Sequence, residues 1–131
     1  MKYNLDYFLP KDYSFVLIGN KKVIYQSKSQ RLAPLVFCLK RYRKEMKGAV
    51  VYDKIVGLAA AKLLAYGRVA EVWTSIVSKR GLKYLRENKI KVEYKKEVKN
   101  ILNKKSDDIC PMEKMSKGKS EKEICKIFRI E

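Results

Sequence analysis

The stretch of residues 50–65 constrains the fold more than any other part of the chain. It begins with β-branched and aromatic residues, which favour a strand, and continues as a run of alanine and leucine, which favours a helix. Asp53 lies at the change, where its carboxylate can accept a hydrogen bond from a free N–H of the first helical turn. Lys54 and Lys62 interrupt an otherwise apolar helix surface, so we expect the helix to be buried. A strand that leads into a buried helix indicates an α/β sheet, and ligands bind such sheets beyond the carboxyl ends of the strands.

The remaining elements are predicted from shorter patterns. Two strands, residues 13–18 and 22–26, flank Gly19 and Asn20 and predict a β-hairpin. Gly67 is expected to end the central helix in the left-handed conformation. The other predicted elements are helical turns at 3–9 and 98–103, helices at 30–45, 79–87 and 120–130, and strands at 48–52, 70–77 and 90–95. Two strands followed by alternating helices and strands predict a three-layer α-β-α sandwich, with a mixed, mostly parallel sheet that the N-terminal hairpin extends.

Length and hydropathy indicate one folded domain. The chain has 131 residues, of which 47% are hydrophobic, enough for a core of its own. We assign residues 1–116 to this domain and residues 117–131 to a basic C-terminal extension with a helical pattern. The first ten residues lack the apolar segment of a secretory signal, and no stretch is long enough to span a bilayer. We therefore expect a cytoplasmic protein with reduced thiols and no membrane partner.

The charge balance is strongly positive. Lys and Arg number 31 against 14 Asp and Glu, which gives a net charge of +17. One explanation is a nucleic-acid partner, because phosphates neutralised by cations release counterions. The other is a lysine-rich composition that keeps the protein soluble, since the lysines are spread over the whole chain and mostly occupy the solvent side of amphipathic elements.

Basic residues are dense on and after the predicted helix at 30–45. They are Arg31, Lys40, Arg41, Arg43, Lys44 and Lys47. Some of them could contact phosphates together with Tyr42. Alternatively, they form a solvated helix face whose last-turn cations are stabilised by the helix dipole.

The residue inventory excludes several kinds of catalytic and metal site. The chain has no histidine, which removes histidine acid–base catalysis, the Ser–His–Asp triad and every histidine-containing metal site. Its cysteines, Cys38, Cys110 and Cys125, are widely separated, and three thiols cannot build a four-thiolate zinc site. No cofactor is predicted.

Several stretches together resemble a known family. They are Gly48-Ala49-Val50-Val51 with Asp53-Lys54-Ile55-Val56-Gly57 and Ala59-Ala60; Ser78 with Leu82 and Leu85; Ile90-Lys91-Val92-Glu93-Tyr94; Ile101-Leu102-Asn103; and Cys110-Pro111-Met112-Glu113. The chain is similar over residues 12–115 to small uncharacterised proteins that have a cytidine-deaminase-like fold without the deaminase zinc site. The Asp-Lys-x-x-Gly and Cys-Pro-Met-Glu pieces are the specific ones. The resemblance implies the fold and leaves residues 117–131 outside it.

The comparison with deaminases implies a missing metal site. Those enzymes place a His or Cys and a Glu at the start of the second main helix, and Pro-Cys-x-x-Cys at the start of the third. The corresponding positions here hold Tyr52-Asp53-Lys54 and Val77-Ser78-Lys79, which offer no zinc ligand set. Zinc-dependent deamination is therefore not expected.

The same comparison predicts a ligand site where two helices begin. Their N-termini should converge, each with free N–H groups and partial positive charge, and Lys54 and Lys79 would add to it. This favours a small anion or nucleotide near Asp53, Lys54 and Ser78. Alternatively, Asp53 and Ser78 only cap their helices. Asn103 could hydrogen-bond the ligand or cap the preceding turn.

Cys110 and Glu113 are candidate catalytic residues, and Cys110 is also a candidate ligand contact. If Cys110 lies near helix N-termini or Lys54, its thiolate should be stabilised and Glu113 could donate or orient a proton. Alternatively, Cys110 is a small buried hydrophobe and Glu113 a surface or first-turn carboxylate.

Three functional hypotheses follow. The leading one is a protein that binds a small anion or nucleotide on a deaminase-like scaffold. The alternatives are a nucleic-acid-binding protein that uses its basic surface and a Cys110-dependent enzyme. The sequence leaves the oligomeric state open, and pairing of the half-exposed strand at 90–94 across a homodimer is compatible with it.

Overall fold

Six strands form one sheet in the part of the chain that the computed structural model describes, residues 3–30, 32–102 and 109–130. The strands are β1 (Phe15–Gly19), β2 (Lys22–Ser27), β3 (Val50–Asp53), β4 (Ile55–Val56), β5 (Glu71–Ser78) and β6 (Lys91–Val98). The helices are α1 (Leu5–Phe8), α2 (Ala33–Arg41), α3 (Arg43–Met46), α4 (Leu58–Tyr66), α5 (Lys79–Glu87), α6 (Pro111–Ser116) and α7 (Glu121–Ile127).

The sheet is mixed and has β5 near its centre. β1 pairs antiparallel with β2 and β3, whereas β5 pairs in parallel with β3, β4 and β6. β3 and β4 lie along the same edge of β5, because β3 pairs with its first residues and β4 with its last. They are therefore two segments of one strand position, interrupted at Lys54. The predicted hairpin and mixed, mostly parallel sheet are confirmed.

The main core lies between the sheet and the larger helices. All residues from Leu58 to Leu64 in α4 are buried, as predicted for the central helix. α4 packs against α2, α5, α6 and α7. Because successive strand residues point to opposite faces, Val51 and Val72 join this core while Tyr52 and Trp73 point to the other side.

A smaller aromatic cluster covers the second face of the sheet. Phe8 of α1 stacks on Tyr52, with ring centroids 5.5 Å apart, and lies 6.2 Å from Trp73. The short α1 thus supplies the third layer of the sandwich. Because that layer is thin, large buried rings rather than a long helix exclude water there.

Three local expectations were wrong. α4 does not begin at Asp53, since the chain returns to β5 as β4 and the helix starts after Gly57. Gly67 has a right-handed φ of −73°, and the left-handed residue is Arg68, with φ of 61°. The predicted helix at 30–45 is interrupted at Tyr42, whose φ of −122° separates α2 from α3.

The segment after β5 also departs from expectation. β6 extends to Val98 because all but one of its residues pair with β5, so the helical turn expected from residue 98 is absent from the described residues 98–102. Leu102 instead forms an antiparallel bridge with Ile109. The following helix, α6, ends at Ser116, the last residue of the predicted domain at 1–116.

The last helix is attached to the central one. Ser120 and Glu123 form a capping box at the start of α7, and Ile124 is fully buried in the main core. The ammonium group of the buried Lys62 in α4 donates to the backbone carbonyls of Ser116, at 2.8 Å, and Lys119. Within the described ranges, no helix is long and apolar enough to cross a bilayer.

Candidate functional site

A cavity of about 500 Å³ opens beyond the carboxyl ends of β3 and β4, beside the start of α4. This is where an α/β sheet is expected to bind ligands. Its walls come from four parts of the chain: Asp12, Ser14, Lys28, Gln30 and Leu32; Asp53, Lys54, Ile55, Gly57, Ala59 and Ala60; Ile101 and Leu102; and Cys110, Met112 and Glu113. Four of the predicted site residues therefore share one cavity, namely Asp53, Lys54, Cys110 and Glu113.

Asp53 ends β3 and is a buried acid in the cavity wall. It is only 6% exposed, and its carboxylate accepts a hydrogen bond from the backbone N–H of Ile55. Burial raises the pKa of Asp53 well above its ordinary value, and the Ile55 hydrogen bond offsets this only in part. Asp53 is therefore held at a strand break, and the N-cap position of α4 belongs to Gly57.

Glu113 supplies the capping interaction that α4 lacks from its own N-cap residue. Its Oε1 accepts a hydrogen bond from the backbone N–H of Leu58, the first residue of α4. A Cβ atom at Gly57 would overlap Oε1, so glycine allows the carboxylate to reach the helix. Burial raises the pKa of Glu113, while the Leu58 N–H and the positive charge of Arg80 lower it in part. The N-terminus of α4 thus already has an acidic partner.

Ser78 caps α5 and lies outside the cavity lining. Its side-chain oxygen accepts a hydrogen bond from the N–H of Gly81 at 3.0 Å, and the residue is fully buried. It is not among the residues that line the cavity. The starts of α4 and α5 nevertheless meet, because a Cβ at Gly81 would lie 2.9 Å from the carbonyl oxygen of Gly57. The predicted convergence of two helix N-termini is confirmed.

The donors present do not fit the zinc ion that a deaminase-like fold implies. Within the described ranges, no three His, Cys, Asp or Glu side chains lie close enough together to hold a metal ion. Gly57 and Gly81 occupy the meeting point of the two helices, and neither brings a ligand atom on a side chain.

Cys110 and Lys54 occupy contrasting places in the cavity wall. Cys110 is 6% exposed, precedes α6, and donates its backbone N–H to the carbonyl of Ile101 at 2.8 Å. Lys54 is exposed, and its backbone N–H donates to the carbonyl of Ser14 at 2.9 Å. Asn103, the remaining predicted ligand contact, lies outside the described residues.

Sequence reasoning missed the part of the site that comes from the ends of the hairpin. Phe15 pairs with Asp53, so the residues before β1 and after β2 lie beside the end of β3. Ser14 and Lys28 reach the cavity in this way. No periodic pattern in the sequence predicts a long-range pairing of this kind. The predicted hairpin indicated only that the residues before β1 and after β2 lie close to each other.

Comparisons with known proteins agree with this architecture. The family model described as "TM1506: Domain of unknown function (DUF1893)" matches residues 5–130. The crystal structure of a DUF1893 family protein (TM1506) from Thermotoga maritima is similar with a TM-score of 0.84 and 31% identity, covering 94% of this chain and 83% of that one. No curated protein sequence matches the chain.

Two structures of Acinetobacter baumannii RibD share the fold more distantly. Form 2 has a TM-score of 0.51 and form 1 a TM-score of 0.52, each at 20% identity. They cover 61% and 62% of this chain, which spans 27% of RibD in both cases. This likeness supports a cytidine-deaminase-like fold. The chain therefore belongs to the DUF1893 family, a family of unknown function on a cytidine-deaminase-like scaffold.

Proposed function

We propose that this protein binds a nucleotide-like small anion in the cavity at the ends of β3 and β4. The observation that carries the proposal is the presence of two buried carboxyl groups, Asp53 and Glu113, in a cavity whose wall also includes Lys28 and Lys54. Buried acids at the floor suit a polar heterocycle, and cations at the rim suit a phosphate.

Asp53 favours a particular hydrogen-bonding edge of the ligand. Because burial raises the pKa of Asp53 well above its ordinary value, its protonated form is favoured relative to that of an ordinary carboxyl group. A protonated carboxyl group both donates and accepts a hydrogen bond. It complements a ring edge that places an acceptor nitrogen beside an amino group, as cytosine and adenine do.

The apolar wall supports a flat ring. Ile55 and Leu102 are 46% and 49% exposed, unusually high for large aliphatic side chains, and both line this cavity. Met112 adds a flexible thioether to the same wall. A planar heterocycle seated against these groups would remove apolar surface from water.

The cations at the rim support the anionic part. Lys54 is exposed, and Lys28 makes a loose contact of 3.8 Å with the exposed Asp12. An exposed ion pair of this kind contributes little, so Lys28 can turn to a phosphate at small cost. Glu113 already offsets the N-terminus of α4, and we therefore assign the anion to the lysines rather than to the helix dipole.

Calorimetric titration with cytidine, cytidine 5′-monophosphate, uridine 5′-monophosphate and inorganic phosphate tests the proposal. We expect the cytidine monophosphate to bind more tightly than cytidine and than uridine monophosphate. Lys54→Ala should weaken its binding about tenfold, the loss of one charge-assisted contact. Lys122→Ala, which removes an exposed lysine of α7, is the matched control. The proposal would be overturned if cytidine, both nucleotides and inorganic phosphate all failed to bind.

A further inference from the structure

Three aromatic rings cluster where α2 covers β2, outside the cavity lining, and one of them is exposed while the other two are half-buried. Phe37 of α2 stacks on Tyr25 of β2, with ring centroids 5.1 Å apart and planes inclined by 27°. Tyr42 completes the cluster, 6.0 Å from Tyr25 and 6.1 Å from Phe37. We call these three residues the aromatic patch. Phe37 is 45% exposed, so its ring is not needed to fill the core.

Cations adjoin these rings. Lys40 and Arg41 follow Phe37 by three and four positions in α2, so all three share one helix face. The Arg41 guanidinium lies 5.8 Å from the centroid of the Tyr42 ring. In the described part of the chain, neither Lys40 nor Arg41 forms a salt bridge. Lys44 and Lys47, also exposed, continue the positive charge beyond the helix.

We infer that the aromatic patch and its cations bind single-stranded nucleic acid. The exposed Phe37 ring, backed by the two half-buried tyrosines and flanked by exposed cations, matches a polymer that carries both flat bases and phosphates. The net charge of +17 is complementary to such a partner. A duplex hides its base faces within the stack, so the rings favour an unpaired strand. The site is separate from the cavity, whose lining contains none of the three rings.

Fluorescence anisotropy with a labelled single-stranded oligonucleotide and its duplex tests the inference. We expect tighter binding of the single strand. Phe37→Ala should weaken single-strand binding roughly tenfold, because one base loses its stacking partner. The dependence of the logarithm of affinity on the logarithm of salt concentration should be unchanged, because no charge is removed.

Charge variants give the complementary result. The double variant Lys40→Ala, Arg41→Ala should reduce the magnitude of the salt slope by about 1.4, from two lost phosphate contacts at about 0.7 each. The matched control is Lys83→Ala, Arg86→Ala, which removes the same charge from an exposed face of α5.

Three results would overturn the inference. One is equal losses of affinity in the two double variants, which would mean that any positive face attracts the polymer. Another is single-strand binding by Phe37→Ala that is as tight as that of the Ile127→Ala variant. Ile127→Ala is the reference because it truncates another exposed apolar side chain. No oligonucleotide binding at low salt would have the same consequence.

Discussion

The side chain of Glu113 accepts a hydrogen bond from the backbone N–H of Leu58, so an acid in α6 caps a helix that begins 55 residues earlier. This bond joins the C-terminal part of the chain to the central helix and forms part of the cavity wall. It links the stability of the protein to the candidate site, and the first two predictions depend on it.

Removal of this cap should destabilise the protein. Glu113→Ala leaves the Leu58 N–H without its acceptor in a buried place, at a cost of about 1–3 kcal/mol in the free energy of unfolding. Glu113→Gln keeps an acceptor oxygen and should lose less. Urea unfolding at pH 7 measures both, with Glu87→Ala at an exposed helix position as the control. Equal stability of Glu113→Ala and the parent protein would contradict the capping role.

Gly57 and Glu113 should be energetically coupled. Gly57→Ala places a methyl group against Glu113 Oε1 and should cost about 1–3 kcal/mol through overpacking. In a background that carries Glu113→Ala the overlap with the carboxylate is removed and the 3.1 Å approach to Ile101 Cγ1 remains, so the same substitution should cost less. A double-mutant cycle from urea unfolding gives the coupling energy. Additive losses would show that the methyl group meets a different obstacle.

The buried Asp53 predicts that stability falls as the pH rises. Its pKa is higher in the folded protein than the ordinary value of 3.8, so folding favours the protonated form. The stabilisation is complete below pH 3.8 and is lost as the pH rises through the raised pKa. Asp53→Asn should remove this dependence. The free energy of unfolding of the variant, relative to that of the parent protein, should therefore be higher at pH 7 than at pH 4. Urea unfolding across that range checks it, and an unchanged pH profile would be inconsistent with the burial of a titrating carboxyl group.

Lys62 should hold the end of the chain against α4. Lys62→Met keeps the apolar stem but removes the ammonium donor of the Lys119 carbonyl and one of the two donors of the Ser116 carbonyl, which should cost about 1–3 kcal/mol. Amide hydrogen exchange should accelerate in α7 more than in β5. Uniform acceleration in both elements would indicate loss of global stability without a specific attachment.

Thiol labelling at pH 7 should distinguish the cysteines. Burial raises the pKa of Cys38 to about 12 and also raises that of Cys125, so neither forms thiolate readily. Cys110 lines an open cavity and should be modified first, as mass spectrometry of digested protein would show. Equal rates at all three positions would leave a Cys110-dependent reaction without support.

The sequence predicted the fold well because its signals were local. The alanine and leucine run indicated a buried helix, and the alternation around Gly19 and Asn20 indicated a hairpin. The start of α4 was misplaced because Ile55 and Val56 return to the sheet after Lys54, and this return depends on the neighbouring β5. A tertiary contact therefore overrode the nearest capping residue.

The candidate site was predictable only in part. Asp53 and Glu113 were identified because they belong to the Asp-Lys-x-x-Gly and Cys-Pro-Met-Glu pieces. The capping of α4 by Glu113 was not predicted, because no periodic pattern connects residues so far apart in the chain. Ser78 caps α5 as expected but does not line the cavity. The hairpin contributions were missed because they depend on the pairing of β1 with β3.

The contact between Gly57 and Gly81 limits how this scaffold could be redesigned. The Cys-x-x-Cys zinc ligands of deaminases would fall at positions 78 and 81. A cysteine at position 81 would place its Cβ 2.9 Å from the carbonyl oxygen of Gly57. Installing a catalytic metal at this point would therefore require the backbones of both helices to separate, in addition to any exchange of side chains. Engineering new chemistry into this protein is better directed at the open cavity than at the place where the two helix starts meet, which the main chain fills.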